Sequence, residues 1–389
     1  MKIITHPLMA LMLLTQILIP QAIAQQPIQS PRGIALVIGN ANYPTAQLHT
    51  PVSDAQEVAA ALSEVGYQVS FAKDLTNNEL RAQVTSFVLA ANNLKLPLIF
   101  YYAGHGAQLN GTTYLVPIDA TFSNASSIPN ESLSLDMLFD AIRDLDGVPK
   151  MFILDACRNN PYGQTSPTEW VPGLAAPTRA PRESLIAYAT DPGNIAADGI
   201  GLHSPYTRSL IKHIRNPGLS VEDVFKSVRQ EVIDYTDGIQ SPWENTSLTH
   251  PVVIREPVQI IAKFVDVDDD AILMANGVEA LSWNLNGQSD KAIRLKSGEN
   301  QLEVKIYNQR SYTGGIPPWG HKPEGWHYTL LLSDSLGHQI LKLQSGENEP
   351  PNNGSRHGHL FTAASFKILV DVHSPALNIT DVDTQQWNR

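Results

Sequence analysis

The chain has 389 residues, 42% hydrophobic and 17% charged, a composition that suits folded domains with more than one core and excludes a disordered protein. Its formal net charge is −11 and no Lys/Arg-rich stretch occurs, so the electrostatic footprint of a nucleic-acid binder is missing and nucleic acid is excluded as a partner.

At the N-terminus, Lys2 supplies a positive start. Leu8 to Ile19 is an apolar run broken mainly by Thr15 and Gln16, and Ala22-Ile23-Ala24 has the small-x-small form of a signal-peptidase site. This predicts a cleavable leader over residues 1–24 and a secreted or periplasmic protein. The run is shorter than the roughly 20 residues needed to cross a bilayer, and no later segment qualifies, so no membrane span is expected once the leader is removed.

From Arg32 to Ile254 the pattern alternates strand and helix. Gly33 to Ile38 is a continuous apolar run, as in a strand covered on both faces, and Ser53-Asp54 opens an Ala/Leu/Val-rich helix to about Val65. Tyr67 to Phe71 reads as a strand, Asn77 to Asn92 as a helix, Pro97 to Tyr102 as a strand, and Asn110-Gly111 as a tight hairpin turn. Leu133 to Asp144 reads as an amphipathic helix and Lys150 to Leu154 as a buried strand. Residues 159–182 hold Pro161, Pro167, Pro172, Pro177 and Pro181, the composition of a flexible exposed loop. Ser184 to Ala189 restores a strand, and Ser204 to Ile214 and Val221 to Tyr235 read as helices. Such alternation implies an α/β fold with a mostly parallel sheet between two layers of helices.

Beyond Glu256 the pattern changes to short β runs such as Asn300 to Tyr307 and Phe366 to Val372, separated by Gly, Pro, Asn and Asp. A smaller all-β sandwich over 256–389 is expected, following the α/β domain of 32–254. Ser-Gly-Glu-Asn recurs at 297–300 and 345–348 and reads as two similar hairpin turns.

The chemistry concentrates at two strand ends. One carries Tyr101-Tyr102-Ala103-Gly104-His105-Gly106 and the other Asp155-Ala156-Cys157-Arg158-Asn159. Active sites of open α/β sheets gather at the carboxyl ends of strands, and both segments leave strands at that edge. A histidine between two glycines gains no packing from them but does gain backbone freedom and room for a substrate. Cys157 is the single cysteine, so it cannot form an internal disulfide even in an oxidising compartment. A lone thiol is often only a small buried hydrophobe; it is the flanking residues that point to a nucleophile.

These segments resemble the caspase-like cysteine peptidases, and among them the bacterial metacaspase relatives called orthocaspases. The resemblance covers about residues 32–254 and rests on His-Gly after an apolar strand, Asp-Ala-Cys after the next central strand, and a histidine about 50 residues before the cysteine. It implies a peptidase in which Cys157 attacks the scissile carbonyl, His105 moves the protons, and the backbone N–H groups of Gly106 and Cys157 hold the oxyanion. Caspases have Gln where this chain has Asp155. Relatives that cut after Arg or Lys carry an acid at that place and a second acid after the first strand, which Asp54 matches. The resemblance therefore implies cleavage after Arg, with Lys weaker, a guanidinium being a bidentate partner for paired carboxylates. The other reading of Asp54 is that it or Ser53 caps the helix, and of Asp155 a structural hydrogen bond to a loop. Ala187-Tyr188-Ala189-Thr190 and Ser204-Pro205-Tyr206-Thr207 also resemble segments beside the substrate groove of these relatives, without individual roles.

Arg179 and Arg182 in the Pro-rich loop are candidate self-cleavage sites, since relatives are processed in this region; solvated surface arginines are the alternative. No metal site is expected. Asp266, Asp268, Asp269 and Asp270 lack the Gly and terminal Glu of a calcium loop, and His321, His327, His338, His357 and His359 are too loosely spaced for zinc. No cofactor is required, and calcium activation, known among relatives, stays open. The expected partner is a protein or peptide substrate and the expected state a monomer, while the C-terminal domain is read as binding a protein or glycan. The competing function is a non-catalytic interaction protein on the same fold; an esterase using the same pair is a third.

Overall fold

The computed structural model describes residues 30–157, 179–191, 201–267, 270–283, 290–296, 298–307, 328–334, 338–344, 360–370 and 377–384. The expected leader and most of the Pro-rich loop lie outside these residues. Arg32–Arg389 form one compact unit, within which no described strand is shared between the sheet of 33–246 and the two sheets of 258–384.

The first sheet is built from β1 (Gly33–Gly39), β2 (Tyr67–Lys73), β3 (Leu98–Leu109), β4 (Thr112–Leu115), β5 (Leu133–Ser134), β6 (Lys150–Cys157), β7 (Ser184–Tyr188) and β8 (Trp243–Thr246). Its order is β2-β1-β3-β6-β7-β8; β4 pairs with β3 and β5. The pairs from β2 through β7 are parallel and β8 closes the edge antiparallel. The helices are α1 (Pro51–Glu64), α2 (Asn77–Leu94), α3 (Ile128–Glu131), α4 (Leu135–Ala141), α5 (Pro205–Ile214) and α6 (Val221–Tyr235).

The alternation of strand side chains divides the core. Ala35, Val37, Tyr101, Ile153 and Ala187 face α1, α5 and α6, whose Val58, Leu62, Leu210, Val224 and Val228 complete one layer. Leu36, Phe100, Phe152 and Ile186 face the other way, against Leu80, Val84 and Phe87 of α2 and Leu138 and Phe139 of α4. α1 opens at Pro51, two residues before the expected Ser53-Asp54, because a proline needs no N–H partner in the first turn; the starts of the next long helices carry side-chain caps. Thr76 and Glu79 form a capping box on α2, Ser204 caps α5 by accepting from Thr207 N at 3.0 Å, and Ser220 caps α6 from Asp223 N at 3.1 Å. The Asn110-Gly111 turn is a two-residue hairpin with φ of 51° and 79°, both positive as that turn requires.

Two expectations change. The helix read over 133–144 begins as a strand: Leu133 and Ser134 pair with Leu115 and Tyr114, and α4 runs only from Leu135 to Ala141. Leu133, Leu135, Leu138, Phe139 and Ile142 are all buried, and that spacing cannot distinguish a longer helix from a strand joined to a short one. The strands read as ending at Tyr102 and Leu154 continue, so His105 and Cys157 lie within β3 and β6 rather than after them.

The second region is a sandwich of two antiparallel sheets. One, ordered β11-β10-β13-β16-β17, uses β10 (Asp270–Ala275), β11 (Val278–Trp283), β13 (Gly298–Tyr307), β16 (Leu360–Val370) and β17 (Leu377–Thr384). The other, ordered β12-β9-β14-β15, uses β9 (Val258–Val267), β12 (Lys291–Leu295), β14 (Tyr328–Asp334) and β15 (Gln339–Gln344). Phe264, Ile293 and Leu330 of one sheet meet Leu273, Val304 and Phe366 of the other in one apolar core. The first Ser-Gly-Glu-Asn ends in Asn300, whose amide accepts from Lys296 N and donates back to Lys296 O, closing a turn; it is not the expected hairpin, because β12 and β13 on either side of it belong to different sheets, and the second lies outside the described residues. Among the described residues no helix is long and apolar enough to cross a membrane.

Candidate active site

The parallel register of β3 and β6 pairs Ala103 with Asp155 and His105 with Cys157. The histidine and the cysteine are thus neighbours on adjacent strands, both at carboxyl ends, where an open α/β sheet presents its site. Gly106 follows on β3. Val116 N donates to His105 O, which makes Gly106–Leu115 a non-hydrogen-bonded pair and turns the Gly106 N–H away from β4 toward the β6 edge.

His105 is buried and held by the loop after β1. Its Nε2 lies 2.6 Å from the carbonyl oxygen of Ala46, which can only accept, so Nε2 carries the proton and Nδ1 is the basic nitrogen of the neutral ring. Its backbone N–H donates to Tyr43 Oη at 3.0 Å, and the Tyr43 ring tilts against the imidazole with centroids 4.4 Å apart. Tyr102 Oη donates to His105 O at 2.9 Å or to Val116 O at 2.8 Å. Gly104 makes room for both hydroxyls: a Cβ there, at φ +153°, would stand 2.7 Å from Tyr43 Oη and 2.8 Å from Tyr102 Oη.

Asp54 and Asp155 come together from α1 and β6 at the start of α5. They are 1% and 6% exposed, so each carboxylate depends on donors rather than water. Ser204 serves both: its N–H reaches the two oxygens of Asp54 at 3.2 and 3.3 Å, and its hydroxyl donates to Asp155 Oδ2 at 2.6 Å. Thr207 Oγ1 donates to the same Asp155 oxygen at 2.8 Å, and His203 Nδ1 lies 2.9 Å from Asp54 Oδ1. Tyr101 Oη meets Thr207 Oγ1 at 2.6 Å. Burial, then the charges of Asp155 and Asp54, push the Tyr101 phenol well above its usual range, so it stays protonated as a donor. The positive end of α5 favours the same two carboxylates. Asp54 does not cap its own helix, as one sequence reading held: α1 has no side-chain cap, and Asp54 bonds across to the 203–204 segment instead.

Arg179 and Arg182 are both exposed. The Arg179 carbonyl accepts from Arg143 at 3.1 Å and the Arg182 carbonyl from Lys150 Nζ at 3.1 Å. Asp268, Asp269, His321, His327, His357 and His359 lie outside the described residues, as do the side chains of Asp266 and Asp270; His338 is exposed beside Asp334.

The functional neighbours that sequence reasoning missed are Tyr43, Ala46 and His203, while Tyr101, Tyr102, Ser204 and Thr207 lie in segments it had singled out without giving them individual roles. Only the Ser204-Pro205 helix start was a local signal for any of them. Tyr102 reaches the His105 carbonyl from three residues away, whereas Tyr43, Ala46 and His203 make contacts between distant segments.

A family profile described as Caspase domain, peptidase C14, matches residues 32–253. The chain belongs to this family. Its caspase domain is that of a family of cysteine peptidases, and the match ends where the sandwich begins. The human mucosa-associated lymphoid tissue lymphoma translocation protein 1 is 32% identical over 136 residues, 34% of this chain and 16% of that protein. The mouse homolog is 31% identical over the same length, with the same shares. The aligned segment is thus a small part of these relatives. Among solved structures, the Drosophila initiator caspase Dronc matches 57% of this chain and 83% of its own, with a TM-score of 0.43 and 14% identity. Caspase-1 from Spodoptera frugiperda matches 58% and 90%, with a TM-score of 0.42 and 17% identity.

Proposed function

We propose that the protein is an exported cysteine endopeptidase that cuts peptide bonds after Arg, and more weakly after Lys. The observation that carries this reading is the pairing of His105 with Cys157 across two adjacent parallel strands, two residues beyond a buried acid that shares Ser204 with a second one. Cys157 gives its proton to His105 Nδ1, and the thiolate attacks the scissile carbonyl. The oxyanion takes the N–H groups of Gly106 and Cys157. The imidazolium then protonates the leaving amine, and the neutral ring takes a proton from the water that hydrolyses the acyl-enzyme, returning it to the departing sulfur. Asp54 and Asp155 receive the substrate guanidinium.

The test is hydrolysis of matched fluorogenic peptides ending in Arg, Lys and Asp by the chain from Gln25, beside Cys157→Ala. Cleavage after Arg that falls more than about 10³-fold in the variant, with its melting temperature kept, is the expected result. Cleavage after Asp alone would keep the peptidase and remove the acidic pocket. No cleavage, with and without calcium, would leave an interaction protein. The same samples report self-cleavage after Arg179 or Arg182, which Cys157→Ala lacks.

A further inference from the structure

The two contacts just described to His105, Tyr43 Oη and the Ala46 carbonyl, come from one short loop, so the orientation of the imidazole depends on what fixes that loop. It closes on itself at Ala41, whose carbonyl accepts from Tyr43 N at 2.9 Å and from Leu48 N at 3.1 Å. Ala46 holds a left-handed φ of 59° without being glycine, a conformation that persists only when the surroundings impose it.

The neck of the loop is tied by one side chain from outside it. Asp74 Oδ1 accepts the backbone N–H groups of Ala41 at 2.9 Å and Asn42 at 3.0 Å, and Oδ2 accepts from Asn42 Nδ2 at 2.6 Å. Gln47 continues the tie, donating from Nε2 to Asn42 Oδ1 at 3.1 Å. Asp74 is itself anchored just past β2: its N–H donates to Gly39 O at 3.0 Å, and the next residue, Leu75, donates to the buried Asn40 side chain at 3.0 Å. A charged acceptor holding two backbone donors and one amide is stronger than neutral bonds of the same geometry.

We propose that Asp74 is a positioning residue for His105: it sets the 41–48 loop, which sets the proton-bearing nitrogen and the tilt of the ring. This rests on the reading of His105 as the partner of the Cys157 thiol. Asp74 touches neither residue and acts only through the loop.

Because Cys157 is the only cysteine of the chain, the rate of iodoacetamide alkylation against pH reads its thiolate with no other thiol interfering. The wild-type inflection is expected below the free-thiol value of about 8.5, and His105→Ala is expected to raise it. Asp74→Ala is expected to move it most of the way to the His105→Ala value, with the melt retained. Asp74→Asn keeps an oxygen for the two backbone donors and is expected to restore most of the wild-type profile. Asn42→Ala alters an exposed side chain on the same tie, so it serves if Asp74→Ala fails to fold, with a smaller shift in the same direction. An Asp74→Ala profile that coincides with wild type overturns the proposal, as does an unmoved Asn42→Ala profile where Asp74→Ala is unfolded. A wild-type profile that coincides with His105→Ala overturns the dyad itself, and with it any role for Asp74.

Discussion

The two regions of the molecule each bury an apolar core and differ in what else they bury. The core of the 258–384 sandwich holds Asn300 and Thr329 as its buried polar residues among those described, and both sit in strands. The α/β region buries Asn40, Thr50, Asp54, His105, Lys150, Asp155, Ser204, Thr207 and Gln240, several of them where β1, β3 and β6 end beside α5. Burying a charge costs several kcal/mol unless partners are supplied, and here every one of these carboxylates has donors from another element. A sheet that needs only to fold can have the sandwich's core. The polar groups at the carboxyl ends of β1, β3 and β6 fit the proposed site, whereas Lys150, at the amino end of β6, is held by loop carbonyls away from it.

That contrast can be broken by removing buried polar groups. The largest expected effect is at Lys150, almost wholly buried, whose Nζ donates to the carbonyls of Leu145 at 2.6 Å, Val148 at 2.9 Å and Arg182 at 3.1 Å. Lys150→Met leaves three carbonyls without this donor and is expected to destabilise the α/β region by more than about 3 kcal/mol in a denaturant melt. A neutral result would mean that the polar interior is dispensable. Next is Ser204→Ala, which removes the Asp155 contact and the α5 cap together. About 1–2 kcal/mol of stability should go, with a loss of cleavage after Arg of roughly 10-fold or more, one pKa-unit equivalent of binding. Stability lost without any change in Arg preference would make the acid pair architectural.

The last effect is absent at neutral pH, appears only in alkali and tests both regions at once. Burial pushes Tyr67 in β2 and Tyr328 in β14 up to about 12 from 10.0. Above pH about 10 the unfolded chain loses these protons while the folded one keeps them, so the folded state binds more protons and stability falls as pH rises toward 12. At neutral pH neither residue contributes to this slope. Each is expected to cost on the order of 2 kcal/mol by pH 12, removed by Tyr→Phe at that position. Equal slopes in the two variants would show that the regions differ in polar content and not in the depth of their cores.

Much of the fold was legible because burial on both faces writes continuous apolar runs, as in Gly33–Gly39, and because one-sided burial writes helical spacing, as in Val221–Tyr235. β8 was not: Trp-Glu-Asn-Thr is an edge strand, half-buried or exposed throughout, and carries no alternation to read. His105, Cys157 and Asp155 stood out through their immediate neighbours. Their chain positions also fixed which strands carry them.

The sequence by itself determined the α/β and β order of the two regions, the His-Gly and Asp-Ala-Cys strand ends, and the match of Asp54 to a second acid. Only the tertiary structure decided that Ser204 joins Asp54 to Asp155, that Ala46 sets the His105 tautomer, and that Asp74 holds the loop supplying it. The reason is physical. Local patterns record which side of an element meets solvent, whereas a hydrogen bond between residues far apart in the chain leaves no periodic trace in either segment and exists only once the sheet has brought them together.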